Sequence, residues 1–297
     1  MNKIVFIAIS IIFLLVCGWL GMETHSSLSK FQRYKLAYTS ELNFQSSLLD
    51  IKDYINSGEW KKSNEEGTEK WKTAYRAKQK ASVYGSILGG LILLYLGIFF
   101  LFYRIKKIAT SQYGYVILHS SLVFLIAGIS LPFLELGAYM EDLKVEIAAG
   151  LGKTFEGKMY FFYQSKTVLE LIETLFINGS FVVGLAILVF SIVFPFTKLG
   201  LFYYYLLTPK MNHKKKLLRI ASYVGKYSMA DVFVAACFLA FLSFNNLSMG
   251  IKTESSVLIG LYFFLGYCVV SIATYFIIQQ KIGTTEETII SSLDEKY

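Results

Sequence analysis

Charge is scarce in this 297-residue sequence: Asp, Glu, Lys and Arg make up 17% of it, where a soluble domain carries about 25%. Cysteine is scarcer still. Cys17, Cys237 and Cys268 all lie in apolar stretches and form no CxxC pair, so neither a disulfide framework nor a zinc-binding signature is present. The three histidines, His25, His119 and His213, are too scattered to suggest a metal site. No nucleophile stands with its base and no phosphate-binding loop is visible, so the sequence predicts neither an enzyme nor a cofactor. The net charge of +8 raises nucleic-acid binding as a reading, but no basic domain is large enough to hold a duplex.

What fills the chain instead is apolar: 55% of the residues are hydrophobic, with 25 Phe and 21 Tyr. A membrane-spanning helix needs roughly 20 residues free of solvated charge. Six stretches approach this, at 4–22, 82–103, 113–134, 177–206, 222–247 and 256–279. The fifth is the weakest, because Lys226 and Asp231 interrupt its first half. The first resembles a signal peptide in having Lys3 ahead of an apolar run, but its length and the lack of an A-x-A-like site after Met22 favour a retained anchor. The fold class predicted is all-α integral membrane, with about six transmembrane helices.

Orientation follows from basic residues in short loops, which stay in the cytoplasm. Arg104, Lys106 and Lys107 lie in one such loop, and Lys210, Lys214, Lys215, Lys216 and Arg219 in another. Both N- and C-termini are then cytoplasmic, and much of the positive excess faces anionic lipid. The segment 23–81 becomes extracytoplasmic. Its residues Phe31, Tyr34, Tyr38, Glu41, Phe44, Leu48, Ile51 and Ile55 step at helical spacing, Asn56-Ser57-Gly58 breaks that helix, and a second helix over about 65–80 leads into the next span. This hairpin is either a sensory or partner-binding element or a spacer. The second outer segment, 138–175, holds an aromatic, strand-like run at Lys158–Gln164 and a short amphipathic helix at Ser165–Leu175. Gly150, Gly152 and Gly157 supply its turns, making it either a small strand-plus-helix lid or an aromatic belt at the headgroups.

Two motifs carry a resemblance. Phe194-Pro195-Phe196-Thr197-Lys198 lies inside one membrane helix, and Gly225-Lys226-Tyr227-Ser228-Met229-Ala230-Asp231-Val232-Phe233 opens the next. Together they resemble the paraquat-inducible protein A family, which has a P-x-x-K turn followed by G-[RK]-[WY]-S-M-x-D-V-F. Leu131–Leu136 resembles the end of that family's first helix, and the likeness runs over about 113–280. Taken with the apolar spans, it divides the chain into a four-helix module over 113–281, an N-terminal transmembrane hairpin over 1–112 that is extra to the family pattern, and a cytoplasmic tail over 282–297. It further implies a multi-pass protein of the bacterial inner membrane, moving membrane lipids beside a periplasmic MCE-domain partner. This chain departs from better-known members in having one module and no zinc-ribbon cysteines.

Polar residues inside the membrane are costly and therefore suspect. Lys198 lies about 8 residues, or roughly 12 Å, before the end of its helix, and Asp231 lies at a comparable depth in the next. The two could pair, carrying a proton or holding a lipid headgroup, with Pro195 opening a kink beside Thr197. Alternatively Lys198 snorkels to the interface, and Ser228 and Asp231 cap a helix that starts there. Glu135, near the outer end of its helix, reads as solvated. His119-Ser120-Ser121 reads as a packing element.

Overall fold

The computed structural model describes residues 3–41, 57–147, 151–208, 236 and 252–273. Helix α1 (Lys3–Glu41) and helix α2 (Ser57–Arg104) run antiparallel. At 1.5 Å per residue they are about 58 and 72 Å long, roughly twice the ~30 Å of a bilayer's hydrocarbon core. Each therefore extends well beyond the membrane on the same side. The helix expected over 31–55 is, as far as Glu41, simply the continuation of α1; its remainder lies outside the described residues.

The α1–α2 seam has a period of 3.5 residues. On α2, Ala74, Ala81, Leu88 and Tyr95 alternate with Lys78, Gly85, Ile92 and Phe99; on α1, Phe6, Phe13, Leu20 and Ser27 alternate with Ser10, Cys17, Thr24 and Phe31. This is the seam of an antiparallel coiled coil. Phe13 stacks on Tyr95 at 3.9 Å, and the Ser10 and Tyr95 hydroxyls lie 3.1 Å apart. Nearer the far end, Tyr38 meets Trp71 at 5.5 Å. The opposite faces expose Ile12, Leu15, Leu93 and Leu94, a continuous apolar surface that only lipid or another apolar surface would cover.

A tight turn with Lys106 at φ 58° leads into α3 (Thr110–Ser130). The span expected to reach 134 stops at Ser130, because Pro132 cannot donate to the helix and pushes Leu131 into an extended conformation (φ −94°, ψ 145°). Thus Leu131–Leu136 holds the end of a helix, with Leu131 as the C-cap of α3, followed by the start of strand β1 (Leu134–Ile147). Strand β2 (Leu151–Lys166) pairs with β1 and contains the predicted aromatic run. Gly152 and Gly157, expected in turns, lie within β2, whereas Gly150 is outside the described residues.

Helix α4 (Val168–Ile177) realises the predicted amphipathic helix, started by a reciprocal capping box between Thr167 and Glu170. Gly179, at φ +76°, turns the chain into α5 (Phe181–Leu188). A π-helical turn at Val189–Val193 joins α5 to α6 (Phe194–Leu207), and together they form one span. Strand β3 (Lys252–Val257) then adds antiparallel to the free edge of β1, giving the order β2-β1-β3. The sequence signalled neither β1 nor β3. Helix α7 (Ile259–Ala273) follows.

Four described helices are long and apolar enough to cross a membrane, at Lys3–Ser40, Gly67–Arg104, Thr110–Ser130 and Phe181–Leu207, with α7 a shorter apolar helix. The chain is thus a mostly helical, multi-pass membrane protein with a small three-stranded sheet. Apart from Ala236, the expected span at 222–247 lies outside the described residues, as does 274–279.

Helices α3 and α7 touch backbone to backbone. A Cβ added at Gly128 would sit 2.7 Å from the Phe264 nitrogen, and one at Gly260 would sit 2.4 Å from the Leu131 carbonyl oxygen. Gly128→Val must push the helices apart, an overpacking that costs about 1–3 kcal/mol. Thermal unfolding in detergent is expected to show a clear loss. Gly90→Val is the comparison, since nothing lies within 4 Å of a Cβ there, and an equal loss in both variants would contradict the packing argument.

Candidate functional site

The sheet gathers the polar chemistry. Side chains alternate across a strand, and the register sets Glu135 opposite both Ser165 and Ser256, and Gly137 opposite both Tyr163 and Glu254. A bulge after Ala138 brings Tyr160 opposite Tyr139. One face thus presents Glu135, Glu254, Ser256, Tyr160 and Tyr163. The polar ends of α1 and α2 pack on it, bringing Lys35, Trp71 and Lys78.

Two ammonium groups and two carboxylates interlock here. Lys35 Nζ lies 3.3 Å from Glu254 Oε1 and 3.7 Å from Glu135 Oε1. Lys78 Nζ donates to Glu135 Oε2 at 2.8 Å and to Ser256 Oγ at 3.2 Å. The Ser256 hydroxyl donates to Glu135 Oε2 at 2.7 Å, Tyr163 donates to Glu135 Oε1 at 3.2 Å, and Tyr160 donates to Glu254 Oε2 at 3.1 Å. Lys35 also stands over the Trp71 ring at 4.0 Å, a cation–π contact that helps a desolvated cation. From α1, Gln32 donates to the Ser165 carbonyl.

Glu135 was expected to be solvated, but only 1% of it is exposed. Burial is tolerable because its carboxylate accepts hydrogen bonds from Lys78 of α2, Tyr163 of β2 and Ser256 of β3 and has the Lys35 ammonium of α1 3.7 Å away. Burial alone would raise its pKa, yet the Lys78 and Lys35 ammonium groups and the Ser256 hydrogen bond hold it below the ordinary carboxylate value. Tyr160 and Tyr163 are pushed upward, first by burial and then by the adjacent carboxylates, so both remain donors across the physiological range.

A depressed carboxylate pKa stabilises the fold above the unfolded value, which is about 4.3 for Glu. That stabilisation drains away as pH falls from there through the lower folded value. Unfolding followed in detergent between pH 7 and pH 3 should therefore show a steep acid loss. The loss should be shallower in Glu135→Gln, whose side chain does not titrate, and parallel curves would refute the assignment.

The second polar site is in the membrane. Lys198, on α6, is 7% exposed and donates to Ser271 Oγ on α7 at 2.7 Å. It is therefore aimed at a neighbouring helix, which is not the snorkelling alternative. Ser271 lies 13 residues beyond Leu258, about 20 Å along α7 from the sheet. Pro195, buried, is the second residue of α6 and has no N–H to donate. The π-helical turn directly before it absorbs the mismatch, with Phe194 N–H bonding back to Val189. Thr197 is exposed and donates to the Val193 carbonyl at 2.7 Å. Ser228 and Asp231 lie outside the described residues, and the residue placed against Lys198 is Ser271, which the sequence did not single out. His119 lies near the rings of Tyr115 and Tyr203 and Ser120 donates to the Val116 carbonyl, but His119 Nδ1 and Ser121 Oγ are buried without a hydrogen-bond partner among the described residues.

Sequence reasoning missed Lys35, Lys78, Glu254, Ser256, Tyr160 and Tyr163 as site residues. Lys78 falls on a seam position of the α2 heptad, a stripe that becomes visible only once α1 is packed against it. A charge in that stripe has to meet a counter-charge from elsewhere in the fold.

A search of curated proteins and one of solved structures return no match. The family model described as Paraquat-inducible protein A matches residues 158–281, a stretch that begins within β2 and carries α4 to α7 and β3. The match starts later than the resemblance over 113–280 suggested, leaving α1, α2, α3 and β1 outside it, and over 158–281 the chain is consistent with a member of the paraquat-inducible protein A family.

Proposed function

We propose that this chain is a bacterial inner-membrane component of an intermembrane lipid-transport system, working with a periplasmic MCE-domain protein and acting as a carrier rather than a catalyst. The observation that carries the reading is the family match over 158–281. Apolar clefts in the membrane region support it. One, of about 490 Å³, lies among α1, α2 and α3 and is lined by Leu14, Cys17, Met22, Leu88, Leu122 and Ile126, the size and lining expected of a site for an apolar ligand.

In this reading the termini are cytoplasmic, and the sheet and the protruding ends of α1 and α2 face the periplasm, where the partner docks. Purification of tagged full-length protein from its own membranes should bring down an MCE-domain protein. Recovery of the chain without any such partner would sink the proposal.

A second reading is favoured by one observation: Lys35 and Lys78 tie the α1–α2 hairpin into the sheet. Under it, the hairpin binds an envelope ligand and the chain is a sensor or scaffold. Shortening the hairpin beyond Glu41 and before Trp71 discriminates the two, because retained lipid transport rules out the sensor role.

A further inference from the structure

A second cleft, of about 420 Å³, opens between α2 and α7. Its α2 wall is graded: Lys78 and Ser82 stand at the sheet end, Gly85, Ser86 and Gly89 follow, and Leu93, exposed toward the lipid, lies furthest along the apolar run. Phe124 of α3 and Phe263 of α7 also line it. From Lys78 to Leu93 is about 22 Å along the helix, enough to cross one leaflet's share, about 15 Å, of a ~30 Å hydrocarbon core.

The polarity falls in the direction of membrane depth. Lys78 borders the polar part of α2, and Leu93 sits within its apolar run. The Lys78 ammonium has three donors. Two serve Glu135 and Ser256, and the side chain keeps 35% exposure at the mouth of the cleft. An amphiphile with a phosphate at one end and a single hydrocarbon chain at the other matches this grading. The volume is near the lower end of the roughly 300–1,000 Å³ of small-molecule sites, which suits one acyl chain and not a whole two-chain lipid.

We propose that the α2–α7 cleft holds one acyl chain of a glycerophospholipid, with the lipid phosphate at Lys78 and Ser82 and the second chain left in the bilayer. This deepens the transport reading and rests on it for its biological role. It assigns a lipid site to the junction between the family-matched part of the chain and the N-terminal hairpin outside that match. Gly89 is the key to testing it, because it lines the cleft and a Cβ there meets nothing within 4 Å. Gly90 is equally open but does not line it.

Native mass spectrometry of the full chain in detergent, supplied with palmitoyl-oleoyl phosphatidylglycerol, should show one tightly held lipid per chain. Gly89→Leu fills the cleft and should weaken that binding about ten-fold, while Gly90→Leu leaves it unchanged; diacylglycerol with the same chains should bind about ten-fold more weakly, as for one lost charge-assisted contact. Equal binding by the two glycine variants would reduce the lipid to surface annulus and overturn the proposal. Equal binding of diacylglycerol would overturn the headgroup assignment. A photo-crosslinking side chain at position 89 should label lipid, and capture of residues 222–247 of this same chain would show the cleft to be filled internally and end the proposal. The transport reading fails separately: bound phospholipid without a co-purifying MCE protein sinks transport and keeps the cleft, and the reverse sinks the cleft and keeps transport.

Discussion

Replacement of Glu135 by alanine is expected to destabilise the protein by about 3–5 kcal/mol, the usual consequence of removing one partner from a buried ionic cluster. The geometry explains the size. Lys35 has a fully buried side chain and, of the two carboxylates near it, would retain only Glu254 at 3.3 Å. Lys78 would lose its 2.8 Å contact, and Tyr163 and Ser256 would each lose an acceptor. Lys35→Ala should cost a comparable amount, because it strips the cluster of one of two cations and leaves two carboxylates facing one ammonium. The two losses should fall well short of adding in the double variant, since both residues act in one network. Thermal and denaturant unfolding in detergent measure this. A Glu135→Ala loss below about 1 kcal/mol, the scale of an exposed ion pair, would mean that water reaches the cluster.

Loss of activity without loss of protein is the expected result at Lys198. Lys198 is buried and donates to the Ser271 hydroxyl at 2.7 Å, and a cation held within a membrane helix bundle is costly and so marks a functional position. If Lys198 and Asp231 work as a pair that opens and closes, Lys198→Ala and Asp231→Asn should each reduce complementation of a transport-deficient strain by about 10²-fold or more, the scale of a lost proton-transfer group. Membrane abundance, followed by immunoblot, should stay at the wild-type level. Parallel loss of abundance in both variants would assign the pair to structure, and wild-type complementation by both would remove it from the mechanism.

The membrane spans were legible because uninterrupted apolar length is a one-dimensional property. The seam between α1 and α2 was not, because nearly every residue of a membrane helix is apolar and a seam of Phe13, Cys17, Leu20 and Thr24 does not stand out from its flanks. The aromatic strand β2 announced itself by composition, but β1 reads Leu134-Glu135-Leu136-Gly137 directly after a helix, and β3 offers only six polar-leaning residues. Strand pairing over such distances leaves no local mark. For the same reason Glu135 read as a solvated helix end: its three charged neighbours, Lys35, Lys78 and Glu254, come from positions 100, 57 and 119 residues away. Lys198 and Pro195 were found because a cation and an imino acid within a long apolar run are visible without any knowledge of their partners.

The order of strands in the sheet also dictates an order of events at birth. The ribosome delivers α1, α2 and β1 long before β3, so Lys35, Lys78 and Glu135 reach the membrane while Glu254 and Ser256 are still unmade, with α5, α6 and residues 208–251 yet to emerge. Local helices form quickly, whereas pairing between distant segments waits for the chain to close a long loop. Until β3 docks on the edge of β1, that edge is unpaired and Lys35 faces a cluster short of one carboxylate. Completion of the sheet is thus a late step of assembly, since the ion network that ties down the N-terminal hairpin is whole only once β3 has paired with β1.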